Sequence, residues 1–163
     1  MDHKRDREQR TFMVHAIGQV RRDNGQIALE IETAYRPALK QLGKFSHVMA
    51  FWWADRFDNE EGRALLQTEP PYAPEHVTGV FATRSPYRPN PIAMTTCKLL
   101  GVDEEAGLVQ VADIDAVDGT PLVDLKAYFP VCDRVQAAYI PDWLADWPEW
   151  MPEEGIGLEP WEE

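Results

Sequence analysis

The stretch ATRSPYRPNPIAM, Ala82 to Met94, sets two guanidinium groups, Arg84 and Arg88, and the amide of Asn90 among three prolines, Pro86, Pro89 and Pro91. Each proline fixes its own φ and restricts the residue before it, so the backbone of Ser85, Arg88 and Asn90 is held extended. A loop stiffened in this way loses little entropy when a ligand binds. Arginine offers a planar fork of donors suited to a carboxylate, a phosphate or a nucleobase edge, and Asn90 adds a donor and an acceptor. A second group of polar side chains lies in ADIDAVDGTPLVDLKAY, Ala112 to Tyr128. There Asp113, Asp115 and Asp118 crowd ahead of a turn, and Asp124 and Lys126 alternate along a strand. Carboxylates in that place can receive the hydroxyl or ammonium groups of a ligand. The competing reading is structural: the arginines pair with Asp115, Asp118 or Asp124 and hold the fold shut, while Asp118 caps its turn.

Other routes to chemistry are absent. No Gly-x-Gly-x-x-Gly follows a strand and no phosphate-binding Gly-Lys-Ser/Thr loop occurs, so a dinucleotide or nucleotide site of those types is not expected. His3, His15, His47 and His76 have no metal-ligand spacing, and no metal is expected. His47 borders an apolar strand and reads as a core histidine. Ser85 lacks the context of a hydrolase nucleophile. Cys97 and Cys132 stand far apart and read as reduced, small core residues of a cytoplasmic protein.

The elements that must position these groups are short. Phe12 to Val20 and Ile27 to Ile31 read as strands joined by the turn Asp23-Asn24-Gly25. Tyr35-Arg36-Pro37 opens a helical turn ending near Gly43. HVMAFWWA, His47 to Ala54, is an apolar, aromatic run that reads as a central strand. Asn59 to Gln67 reads as a short helix, Pro70 to Glu75 as a loop, and Thr78 to Thr83 as a strand. Ile92 to Val102 and Leu108 to Ile114 form a further strand pair about a turn at Asp103 to Gly107. Leu122 to Tyr128 is a last strand after the turn Asp118-Gly119-Thr120-Pro121. Many short strands joined by turns predict a mainly all-β fold, a compact antiparallel β-barrel with short helical insertions. The expected organisation is a disordered tail at 1–10, a barrel domain at 11–134 and an acidic, tryptophan-rich extension at 135–163.

The formal net charge is −12 over 163 residues, and it is unevenly distributed. Eight of the 28 acidic residues follow Arg134, and none of the 16 lysines and arginines does, which leaves 20 acidic against 16 basic residues before it. The totals hold no basic nucleic-acid footprint, so such a partner would need a local patch from Arg21, Arg22, Arg36, Arg84 and Arg88. No apolar run is long enough to span a bilayer and no signal peptide is expected. In the extension, Trp143, Trp147, Trp150 and Trp161 read either as indoles docked on the barrel or as anchors of an interface, and Trp143 and Trp147 have the spacing of one helical face.

Three stretches resemble one family. GVFATRSPYRPNPIAM, Gly79 to Met94, is similar to the GVFATRSxxRPNPIG signature of the TrmO family, also called TsaA-like or YaeB-like. IDAVDGTPLVDLKAYFP, Ile114 to Pro130, resembles its second signature, and FSHVMAFWW, Phe45 to Trp53, its aromatic strand. The resemblance, over Phe12 to Pro130, implies a β-barrel that binds S-adenosylmethionine without a Rossmann fold, as a homodimer with the cofactor near the interface. It implies N6-methylation of threonylcarbamoyladenosine beside the anticodon of tRNA. Carried over by position, Asp55, Arg56, Arg84, Met94, Ala112, Asp113, Ile114, Asp115 and Asp118 bind the cofactor. Arg88, Asn90 and Lys126 are candidates for the substrate side, and Trp52 and Trp53 for an apolar wall. A methyltransferase acting on another small or modified-base acceptor and a non-catalytic S-adenosylmethionine-binding module are the alternative readings. Departures from the pattern are Ala93 for glycine, Ala127 for proline, Asp55-Arg56 at a histidine-bearing pair, and a first hairpin that lacks the family's long loop with its Arg-Gln-Pro element.

Overall fold

The computed structural model describes residues 10–153 and 155. Residues 1–9, most of the expected tail, and Trp161 lie outside them. Eight strands occur: β1 (Gly18–Asp23), β2 (Gln26–Ile31), β3 (His47–Trp53), β4 (Gln67–Thr68), β5 (Thr78–Gly79), β6 (Ile92–Asp103), β7 (Leu108–Val111) and β8 (Pro121–Ala127). Six of them close into one antiparallel barrel in the order β1-β2-β7-β6-β3-β8, with β8 returning to β1, and β4 and β5 make a small separate ribbon. The helices are short pieces, among them α1 (Glu60–Ala64), α2 (Pro130–Asp133) and several 3₁₀ segments. The barrel expected from the short strands is the fold found.

Period-two burial builds the core. Along β3, Val48, Ala50 and Trp52 point inward and are buried, while His47, Met49, Phe51 and Trp53 face outward and are half-covered. The apolar outer face explains why this strand reads as a nearly continuous hydrophobic run: it pairs with β6 on one side and β8 on the other. Cations cover part of that face, with Lys126 5.6 Å from the Phe51 ring and Arg63 5.7 Å from the Trp53 ring. Val20, Leu29, Val109, Val111, Ile114 and Leu122 complete the core. The first hairpin turns through Asn24 and Gly25, both at positive φ (48° and 79°), which matches the twist of the strands it joins.

Several elements differ from expectation for local reasons. The first strand begins at Gly18 rather than Phe12, because β2 ends at Ile31 and a 3₁₀ turn (Thr33–Leu39) leaves nothing for residues 12–16 to pair with. Phe12 and Met13 are accordingly 82% exposed. The strand expected over Thr78 to Thr83 stops after two residues, since its partner β4 is only two residues long, and a 3₁₀ turn (Val80–Ala82) follows. Helix α1 is shorter than Asn59 to Gln67; Asn59 caps it by accepting a 2.8 Å bond from the Gly62 N–H. Cys97 is buried as expected, but Cys132 is exposed on α2. His47 is half-buried on the outer face, 2.8 Å from the Ser46 hydroxyl.

Among its described residues the C-terminal arm adds no strand, yet Trp143, Trp147 and Trp150 make contacts with the rest of the chain. Trp143 stacks on His76 at 5.2 Å, Trp147 meets Tyr72 edge-on at 5.2 Å, and Arg134 lies 5.8 Å from the Trp150 ring. Trp143 and Trp147 thus share a target, the segment from Tyr72 to His76, although the 3₁₀ turn there (Asp142–Leu144) holds Trp143 and stops short of Trp147. Leu29, fully buried between β1 and β7, tests the core. Leu29→Ala should lower the stability by about 3 kcal/mol, seen as a reduced urea midpoint at unchanged m.

Candidate functional site

One end of the barrel is sealed by the irregular chain between β7 and β8, residues 112–120. Ile114, Ala116 and Thr120 are buried in it. Backbone with so little regular pairing needs outside donors, and Arg22 at the end of β1 supplies them. Its Nε donates to the Ala116 carbonyl at 2.8 Å, its Nη2 to the Ile114 carbonyl at 2.5 Å, and its backbone N–H to Asp118 Oδ1 at 2.8 Å. Asp118 therefore fastens the seal to the first hairpin and is exposed. Gly119 and Thr120 then exchange backbone bonds with Val20.

A narrow cleft opens between this seal and the end of β3. Trp52, Ala54, Asp55, Arg56 and Phe57 line one side, and Asp115, Ala116, Val117 and Thr120 the other. It holds only about 20 Å³, room for a water or two and far below the volume of a cofactor pocket. The proline-rich loop abuts the same end of β3, where the Ala54 N–H donates to the Pro91 carbonyl at 2.8 Å. Asp55, Arg56 and Asp115, far apart in sequence, are thus brought to one cleft beside the loop.

The remaining candidates lie elsewhere. Met94 pairs with Phe51 and Lys126 with Met49, so both sit on the outer face of the barrel. Lys126 is engaged by Asp124 at 2.6 Å. Strands β6 and β7 separate beyond the bond from the Ala112 N–H to the Lys98 carbonyl, and Asp113 stands beside that parting. Ile114 points into the core with no exposed surface. Arg88 is turned back into its own loop, donating to the Thr83 carbonyl at 3.4 Å and the Ser85 carbonyl at 3.2 Å. Arg84 and Asn90 are exposed. Two of the carboxylates that the structural reading offered Arg84 and Arg88 are engaged elsewhere: Asp118 accepts from the Arg22 backbone N–H and Asp124 from Lys126.

The sequence held no pointer to what the arm does here. Gly155 is packed so closely on Asp113 that a Cβ would come within 2.8 Å of the carboxyl carbon, and its φ of +92° suits glycine. Glu153 reaches Lys98 at 3.6 Å.

Burial and the neighbouring Asp113 charge push the Asp115 carboxyl up to about 6, against a smaller opposing effect of Arg22. Burial, with Asp113, also raises the Cys97 thiol to about 12, which leaves it unreactive.

Residues 15–134 match the family model described as the tRNA-methyltransferase O N-terminal domain. The chain belongs to that family. It is 39% identical over 114 residues to a probable S-adenosyl-L-methionine-binding protein of Archaeoglobus fulgidus, covering 70% of this chain and 29% of that protein. It is 33% identical over 118 residues to another of the same description from Pyrococcus horikoshii, 72% of this chain and 82% of that one. The human tRNA (adenine(37)-N6)-methyltransferase is 38% identical over 109 residues, 67% of this chain and 23% of that protein. The match thus spans under a third of the Archaeoglobus and human proteins. Among solved structures, TrmO from P. aeruginosa superimposes with a TM-score of 0.65 at 28% identity, covering 88% of this chain and 65% of that one.

The raised Asp115 carboxyl has a defined sign. The native state holds the proton more tightly than the unfolded chain, so Asp115 favours the fold below about pH 4 and loses that contribution as pH rises through about 6. Asp115→Asn should flatten the melting-temperature profile between these values and raise the melting temperature at pH 7.5. Thermal denaturation of both proteins across that range checks it.

Proposed function

We propose that the chain is an S-adenosylmethionine-dependent methyltransferase, and that its acceptor is N6 of threonylcarbamoyladenosine beside the anticodon of a tRNA. The observation that carries this reading is the junction of Asp55, Arg56 and Asp115 with the loop Arg84 to Met94, in a chain of the TrmO family. The residues fit the cofactor's chemistry. Asp113 and Asp115 suit its ammonium and sulfonium charges, Arg84 its carboxylate, and Trp53, half-covered on the outer face, its adenine. In this reading Asp55, Arg56 and Asp115 meet the cofactor at the mouth of the cleft, and Met94, Ala112 and Asp113 flank the rest of it. When bound, the cofactor supplies an activated methyl group. The chain's contribution is alignment: a stiff loop and a fastened seal hold two reactants in line, which by itself removes much of a barrier. In this reading Asn90 faces the acceptor, and Arg88 shapes the loop from within. A homodimer in the cytoplasm belongs to the same reading, with Phe12, Met13, Val131 and Tyr139 as exposed apolar surface available for a second copy.

A second reading, the same chemistry on a small acceptor, draws on the state of the arginines. Arg22, Arg36 and Arg88 spend their donors on backbone carbonyls, and Arg21 pairs with Glu30 at 3.1 Å. Little of the basic patch a tRNA would meet is left uncommitted. Turnover that collapses with added salt indicates phosphate contacts, and salt-insensitive turnover favours the small acceptor.

Calorimetric titration with S-adenosylmethionine, followed by methyl transfer to bulk tRNA, tests the proposal. Binding should displace a proton from Asp115 near pH 6, so the measured heat should vary with the ionisation enthalpy of the buffer. Arg84→Ala should weaken binding roughly ten-fold, the loss of one charge-assisted hydrogen bond. Unchanged affinity in a folded variant removes Arg84 from the site.

A further inference from the structure

We propose that Arg63 is a positioning residue that locks the proline-rich loop to the end of β3, so that the two segments of the cofactor site move as one unit. The inference rests on reading Asp55–Arg56 and Arg84–Met94 as cofactor segments. No sequence signature singles Arg63 out; its contacts do. From the last turn of α1 its Nε donates to Asp58 Oδ1 at 2.5 Å and its Nη1 to the Pro89 carbonyl at 3.1 Å. The guanidinium lies 5.7 Å from the Trp53 ring, and the Trp53 indole N–H donates to the other Asp58 oxygen at 2.9 Å. One side chain therefore joins the last residue of β3, the turn after it and the loop.

The chemistry of the loop makes an outside donor necessary. Pro86, Pro89 and Pro91 have no N–H, so the loop has few donors of its own for its carbonyls, the Ile92 N–H to the Asn90 carbonyl at 2.7 Å being one. Arg88 serves Thr83 and Ser85 from inside the loop, and Arg63 serves Pro89 from outside it. An edge-to-face contact of Phe57 with Tyr87, centroids 4.9 Å apart, adds a second tie between the same two segments. Arg63 is 40% exposed and Asp58 28%, so the ion pair itself adds little to global stability. Its consequence is geometric: a planar fork addresses a carboxylate and a carbonyl at once, which an ammonium cannot reproduce.

The test compares the full chain with Arg63→Met and Arg63→Lys in three measurements. These are affinity for S-adenosylmethionine, amide hydrogen exchange of residues 83–91, and melting temperature. Arg63→Met should weaken binding about ten-fold, raise exchange in that segment, and leave the melting temperature within a few degrees of the parent. Arg63→Lys should keep the melting temperature and fail to restore affinity or protection, an outcome that a purely stabilising charge would not give. In turnover the deficit should fall on KM for the cofactor and not on kcat. Affinity and exchange unchanged in either folded variant would overturn the proposal, and so would full rescue by lysine. If the parent itself fails to bind, the cofactor reading is what has failed, and exchange in residues 83–91 alone then decides whether Arg63 holds the loop.

Discussion

The structure depends on how the open end of a small barrel is sealed. Six strands satisfy one another around the wall, but the chain that crosses from β7 to β8 has no ladder to join. Its carbonyls at Ile114 and Ala116 are met by one guanidinium, that of Arg22. Charge-assisted bonds of this kind are stronger than neutral ones and cost more to leave unmade. The seal in turn buries Ile114 and Ala116 and carries Asp115 into a setting where its ionisation is opposed. Core closure and the weakened acidity of one cleft carboxyl are therefore the same event.

Much of this was legible in the sequence where the cause is local. Asn24-Gly25 allows a two-residue hairpin, alternating burial marks the strands, and prolines at 86, 89 and 91 announce a stiff loop. Strand ends were less legible, because they depend on the partner: residues 12–16 have strand-like composition but no neighbour. The site was legible as a set of residues and not as an arrangement. Asp55, Arg56 and Asp115 meet in a cleft, whereas Met94 and Lys126 go to the outer face, a division set by register alone. The roles of Arg22, Arg63 and Gly155 arise from contacts across space, for which no spacing rule exists.

The distribution of charge has a similar explanation. A local patch for phosphate would need Arg21, Arg22, Arg36, Arg84 and Arg88, but an irregular, proline-rich chain consumes donors. Arg22 serves the seal, Arg36 the Ile31 and Glu105 carbonyls, and Arg88 its own loop. A barrel whose connections run without ladders needs guanidinium groups as structural donors before any remain for a ligand. The acidic arm, meanwhile, spends its indoles on His76, Tyr72 and Arg134 and brings Gly155 against Asp113.

On the proposed reading, methyl transfer from a sulfonium asks for alignment more than for a strong acid or base. Alignment requires that separate segments keep their distance to a fraction of an ångström, and a loop at the surface does not do so by default. Here the φ restriction of three prolines removes internal freedom, and contacts from Arg63, Ala54 and Phe57 remove rigid-body freedom. Neither suffices alone: a stiff loop that is not anchored swings as a unit, and an anchored flexible loop still samples many shapes. The combination is what a site built on connections, rather than on strands, must have.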